Sequence, residues 1–104
     1  MKSPAAVVGQ PLSASEIAAL VAHGDALVGV RDIVSARLFY QRAAEAGDGA
    51  AALRMGATFD SVFLDRANVR GVSGNQQEAL SWYRRARDLG EAKAEGLLKA
   101  FQTE

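Results

Sequence analysis

His23 is the single histidine of this 104-residue chain, cysteine is absent, and twelve arginine and lysine side chains face twelve aspartates and glutamates. Those counts limit the chemistry. A histidine works as a general base or nucleophile when a second group orients it. Here no second histidine and no cysteine can join it, so His23 is expected to be a packed or half-exposed structural residue. Without cysteine there is no disulfide, no thiol nucleophile and no zinc-thiolate site. No serine has a lysine three residues on, so the Ser-x-x-Lys acyl-transfer pattern is missing. The glycines of "GVSGN", Gly71 to Asn75, lack both a preceding strand and a P-loop lysine. Glu45 and Asp48 lie where polar helix ends belong. The expectation is a chain with no catalytic residues, no cofactor and no metal site.

Two other residue sets could bind rather than catalyse. Arg37 and Arg42, with Arg84, Arg85 and Arg87, could form a basic strip for nucleic acid or an acidic partner. Acids interleave with them, namely Glu45, Asp48, Asp88 and Glu91, and the formal net charge is zero. A solvated, self-paired outer face is the expected reading, and no nucleic acid partner is expected. Phe39, Tyr40, Trp82 and Tyr83 could stack on bases. Their spacing beside alanines instead marks them as filler between helices.

These residues sit on helices. Ser13 and Glu16 have the spacing of a capping box. After them Ile17, Leu20, Val21, Gly24, Leu27 and Val28 share one helical face. Asp32, Asp48 and Asn75 are further cap candidates, and Gly47 is a stop signal because a left-handed residue is cheap only for glycine. The predicted helices span about 13–28, 32–46, 49–60, 75–89 and 91–102. Residues 1–12 are expected to be a flexible leader and 61–74 an insertion loop, with "VFL" tucked under the domain as a short helical turn. No segment alternates like a strand, and no apolar run is long enough to span a bilayer. The expected fold is all-α, two antiparallel helical hairpins plus a C-terminal capping helix.

The second helix of each hairpin reads alike. "ARLFYQRAAEAGDGAAALRMG" from Ala36 returns as "EALSWYRRARDLGEAKAEGLL" from Glu78. Alanine, an aromatic pair ending in tyrosine, alanine and glycine recur in register. Such self-similarity is the signature of stacked helical repeats. The chain resembles Sel1-like repeats, relatives of the tetratricopeptide repeat, from about Ile17 to Phe101. It departs from them in the long second hairpin, in His23 where leucine is usual, and in Lys99 where a last glycine is usual. The resemblance implies an α–α superhelix acting as an adaptor or scaffold within a larger bacterial regulatory or envelope-associated protein. It also implies a groove, lined by the first helix of each hairpin, that takes a protein or peptide partner. Carried onto this chain, that groove selects Asp25, Arg54, Ala57, Asp60 and Lys93. Arg54 and Lys93 would hold an acidic group, and weak self-association through an open repeat end is expected.

Overall fold

The computed structural model describes residues 11–102. The expected leader lies, apart from its last two residues, outside them. Six helices follow one another: α1 Ala14–Gly29, α2 Ile33–Glu45, α3 Gly49–Phe59, α4 Ser61–Arg66, α5 Gln76–Asp88 and α6 Lys93–Gln102. The described residues contain no strand. The helices pack in pairs: α1 on α2, α2 on α3, α3 on α5 and α5 on α6. The result is elongated, 53 × 29 × 18 Å.

Each boundary has a local cause. Ser13 and Glu16 form a complete capping box, with Glu16 N–H donating to Ser13 Oγ (3.1 Å) and Ser13 N–H to Glu16 Oε1 (2.8 Å). Asp32 accepts from Ser35 N–H, Asp48 from Ala51 N–H and Asn75 from Glu78 N–H, each satisfying a first-turn donor. Asn75 does not complete a box with Glu78. Its own N–H instead donates to Phe59 O, at 2.7 Å.

The helix ends repeat one geometry. After α2 and α5, Gly47 and Gly90 adopt φ of +100° and +95°. Asp48 N–H then reaches back to Ala43 O, and Glu91 N–H to Ala86 O. This is the Schellman closure that absorbs orphan carbonyls. After α1 and α4 the same left-handed position is held by Arg31 and Asn68, at φ +64° and +61°. An L-residue pays roughly 1–2 kcal/mol there. Arg31 Nε also donates to Asn68 O (3.3 Å), tying the two turns together.

The segment 61–74 is more helical than an insertion loop with a short turn at "VFL". Its first six residues are helix α4. Asp60 explains this: its Oδ1 accepts from Val62 N–H at 3.0 Å, a cap that restarts the chain as a helix directly after α3. Leu64 is buried beneath it. The excursion then closes on itself. Asn75 N–H bonds Phe59 O, and Ser61 N–H donates to Gln76 Oε1 at 2.9 Å. The chain leaves and rejoins at one place, so α3 and α5 still pack as a hairpin.

The core is mostly alanine, joined by Tyr40, Tyr83, Ile33, Met55, Leu64 and Leu98. Ala36, Ala43, Ala44, Ala51, Ala52, Ala79, Ala86 and Ala94 have no exposure at all. Such small side chains let helix axes approach, as the alanine spacing implied. At the crossings with α2 and α5 a glycine meets a tyrosine face. A Cβ on Gly24 would lie 2.5 Å from the Tyr40 ring, and one on Gly56 equally close to the Tyr83 ring. The α1 face is less covered than expected: of its residues only Gly24 is buried. Among the described elements only α2 packs extensively against that helix.

These contacts set an order of sensitivity. Gly56→Ala gains about 1 kcal/mol of helix propensity but overpacks against a ring that cannot retreat, at about 1–3 kcal/mol. Gly24→Ala meets a ring anchored nearer the surface. Urea unfolding should show a net loss for Gly56→Ala and a smaller loss for Gly24→Ala. Ala43→Leu and Ala86→Leu should each lose about 1–3 kcal/mol; tolerance of both would mean that these helices do not cross at the alanines.

Candidate functional site

The first, third and last helices, α1, α3 and α6, together with α4, line one side of the molecule. Three clefts open there in sequence. The first, about 440 Å³, lies between α1 and α3 and reaches Asp25, Asp48 and Arg54. The second, about 330 Å³, is bounded by Leu53, Arg54 and Ala57 of α3, Val62, Phe63 and Arg66 of α4, and Lys93 and Leu97 of α6, with Tyr83 and Asp60 at its floor. The third, about 600 Å³, continues between α4 and α6 past Arg66, Gln76, Leu97 and Phe101. Arg54 joins the first cleft to the second; Asp60, Val62, Arg66 and Leu97 join the second to the third.

The groove candidates therefore lie along this trough. Arg54, Ala57, Asp60 and Lys93 line one cleft, and Asp25 lies in the next, where Arg54 meets it. Their states differ. Asp25 Oδ1 accepts from the Tyr40 hydroxyl at 2.5 Å and from Arg54 Nε at 3.0 Å. Arg54 Nη1 also donates to Ala50 O (3.4 Å). The guanidinium is thus partly committed to a carboxylate of its own chain. The pair is 40% and 47% exposed, so it stabilises by no more than about 1 kcal/mol. An incoming acid could compete for it.

Asp60 is not an open groove residue. It is 5% exposed. Oδ1 takes Val62 N–H, and Oδ2 takes the Tyr83 hydroxyl at 2.7 Å. The groove of the resembled repeats, carried onto the end of α3, had selected it. In the fold, its cap and its tyrosine turn the carboxylate inward. Lys93 and Arg66 are exposed and make no side-chain ion pair among the described residues. Arg66 and Val62 were missed because they fall in the segment read as a loop. The signal that could have found them is Asp60-Ser61-Val62, an Asp cap followed by six residues that complete a helical turn.

Burial and the acidic partner push both tyrosine pKa values far above the ordinary tyrosine range. Burial is the larger cause, and the hydrogen bond to Asp60 or Asp25 adds to it. Both hydroxyls therefore remain protonated donors.

The remaining chemistry-bearing residues are placed as follows. His23 is exposed and stacks on Phe39, ring centroids 4.1 Å apart and planes within 9°. The arginines do not make one strip. Arg37 turns into the α2–α3 contact, donating from Nε to Thr58 Oγ1 (3.1 Å) and from Nη2 to Thr58 O (2.6 Å), with its guanidinium 3.8 Å above the Phe59 ring. Burial lowers its pKa, and Glu78 opposes that. Arg85 lies over the half-buried Trp82, and Arg87 pairs with Asp88 at 3.1 Å. Of the acids expected to pair with the arginines, Asp48 caps α3 and Glu45 accepts from Gln41. No group of three metal-ligating side chains occurs among the described residues, and no described helix is long and apolar enough to cross a membrane.

In comparisons with family models, with curated proteins and with solved structures, the chain finds no match. What the fold defines is a class: an all-α domain, with six helices among the described residues, packed as helix pairs.

The tyrosine–aspartate pairs carry a pH signature. An unfolded tyrosine loses its proton near pH 10, whereas Tyr83 in the fold keeps it well beyond. The unfolded state then binds fewer protons, so stability is whole below about pH 10 and falls as pH rises above it, by at most about 1.4 kcal/mol per pH unit for each tyrosine. Urea midpoints should drop between pH 9 and pH 11, and Tyr83→Phe should flatten part of that slope. At pH 7 the same substitution should cost about 1–3 kcal/mol, because it leaves a buried carboxylate oxygen without its donor.

Proposed function

We propose that this chain is a non-catalytic protein-interaction module that holds a peptide or a segment of another protein in the trough along α1, α3, α4 and α6. The observation that carries the reading is the continuity of that trough. Three clefts share lining residues end to end, with apolar side chains such as Val62 and Leu97 beside the charges of Arg54, Arg66 and Lys93. A preformed groove of this kind recognises chains by apolar contact, while a few charges set register. The internal echo of Ala36–Gly56 in the second hairpin, and its resemblance to Sel1-like and tetratricopeptide repeats, supports the same reading. In that frame α2 and α5 are the outer helices of two hairpins, and α6 is a solvent-facing cap bearing Lys99. The role of the domain would be that of an adaptor or scaffold within a larger bacterial assembly.

The competing reading, nucleic acid or an acidic partner on the arginine-bearing outer helices, draws less support. Arg37 is turned inward, Arg85 lies on Trp82 and Arg87 is paired with Asp88.

The test compares partner recovery by the immobilised wild-type chain, an Ala57→Trp variant that fills the trough, and an Arg54→Glu, Lys93→Glu double variant. Both variants should lose partners that an Arg84→Glu, Arg87→Glu control retains. Circular dichroism should show all four equally helical. Equal recovery by wild type and the trough variants would remove the groove, and loss only in the control would move binding to the outer helices.

A further inference from the structure

We propose that the insertion helix α4 makes its reach of the trough selective for a segment that is both apolar and acidic, belonging to another protein. The inference rests on the groove reading above and deepens it.

Helix α4 buries Leu64 yet leaves Val62 54% exposed. Val62 lines both the second and third clefts, opposite Leu97 of α6. A single exposed valine needs no explanation. This one, though, stands on a wall that exists only because the second hairpin is lengthened, and it faces an apolar side chain across an open trough.

The charge around this apolar reach is one-sided. Arg66 and Lys93 stand on opposite walls, and neither has an ion pair among the described residues. Among the described residues the single carboxylate lining either cleft is Asp60, and both of its oxygens are occupied by Val62 N–H and the Tyr83 hydroxyl. A chain of zero net charge thus presents an occupant here with cations and no free acid. Arg66 offers a carboxylate two parallel N–H donors, and Lys93 a point charge.

The two clefts share Asp60, Val62, Arg66 and Leu97, so they form one open channel and fit a chain rather than a compact small molecule. Nucleic acid fits less well. It would bring a phosphate per residue to two cations and lay its backbone over Val62 and Leu97. A peptide with leucine- or valine-like side chains beside aspartate or glutamate satisfies floor and rim together.

The experiment is selection of a random dodecapeptide phage library on the full chain, followed by anisotropy titration of the enriched peptides. Three variants are titrated alongside: Arg66→Gln with Lys93→Gln, Val62→Ser, and Ala57→Trp. The expected result is enrichment of peptides that place acids beside apolar residues. Neutralising the two cations should weaken them by about tenfold or more, with strong salt dependence. Val62→Ser should weaken them at all salt concentrations. Neutral or basic peptides that Ala57→Trp blocks would overturn this inference and leave the groove standing. Peptides indifferent to Ala57→Trp, or none enriched, would overturn both. Oligothymidylate binding at physiological salt that displaces the peptides, or that is lost with the two cations, would also overturn it.

Discussion

The hydrogen bond from the Tyr83 hydroxyl to Asp60 is the contact on which the second half of the molecule turns. Asp60 ends α3, begins α4 and receives the side chain of α5. A carboxylate taken this far out of water costs several kcal/mol unless donors replace the water it loses. Two donors do so, one on each oxygen. Because Tyr83 must reach Asp60, the Cδ1–Cε1 side of its ring lies against Gly56, and that contact fixes how closely α5 approaches α3. Phe101 of α6 then meets the same ring edge-on, at 5.9 Å. Four helices take their positions from one phenol.

The first half uses the same device in a weaker form. Tyr40 lies against Gly24 and bonds Asp25, but Asp25 is half exposed and shares its oxygen with Arg54. The tyrosine finds its acid one residue past the glycine on α1, and four residues past it on α3. Both positions fall on one side of a helix, so the ring serves either. The difference lies in what the acid can do afterwards. Asp25 remains at the trough, within reach of solvent and of Arg54. Asp60 belongs to the frame. A shared packing rule therefore leaves one carboxylate available for recognition and consumes the other.

Local signals in the sequence were the ones that could be read. Caps at Ser13, Asp32, Asp48 and Asn75, and the stop at Gly47, involve residues within a turn of each other, so their chemistry is visible in a short window. The alanine faces were visible too, because helical spacing repeats them. Helix α4 was legible only as a turn at "VFL", since six residues are too few to establish a period, and Asp60 had already been assigned to the end of α3. Partners across helices were equally hidden. Nothing in the spacing of Arg37 says that it will bond Thr58, nor that Tyr83 will seek Asp60. Asp60 was misplaced for that reason, and Arg66 was passed over because the segment holding it reads as loop. The trough was approachable through Arg54, Ala57 and Lys93, whose helices were legible, while its α4 wall was not.

The closed base of the excursion has a consequence for how this chain can change. Phe59 and Asn75 are joined by a backbone hydrogen bond, and Ser61 to Gln76 by a second bond beside it. Whatever lies between them is added to the frame without altering its register. Loop-closure entropy rises slowly with length, about 0.6 kcal/mol for each doubling. Beyond the Val62 N–H that serves Asp60 and the buried Leu64, the stretch from Asp65 to Ser73 can therefore lengthen, shorten or alter its side chains at small cost, while Asp60, Gly56 and Tyr83 hold the helices where they are. On the proposed reading, stability and selectivity are written in separate parts of the chain, and the wall of the trough is an exchangeable cassette.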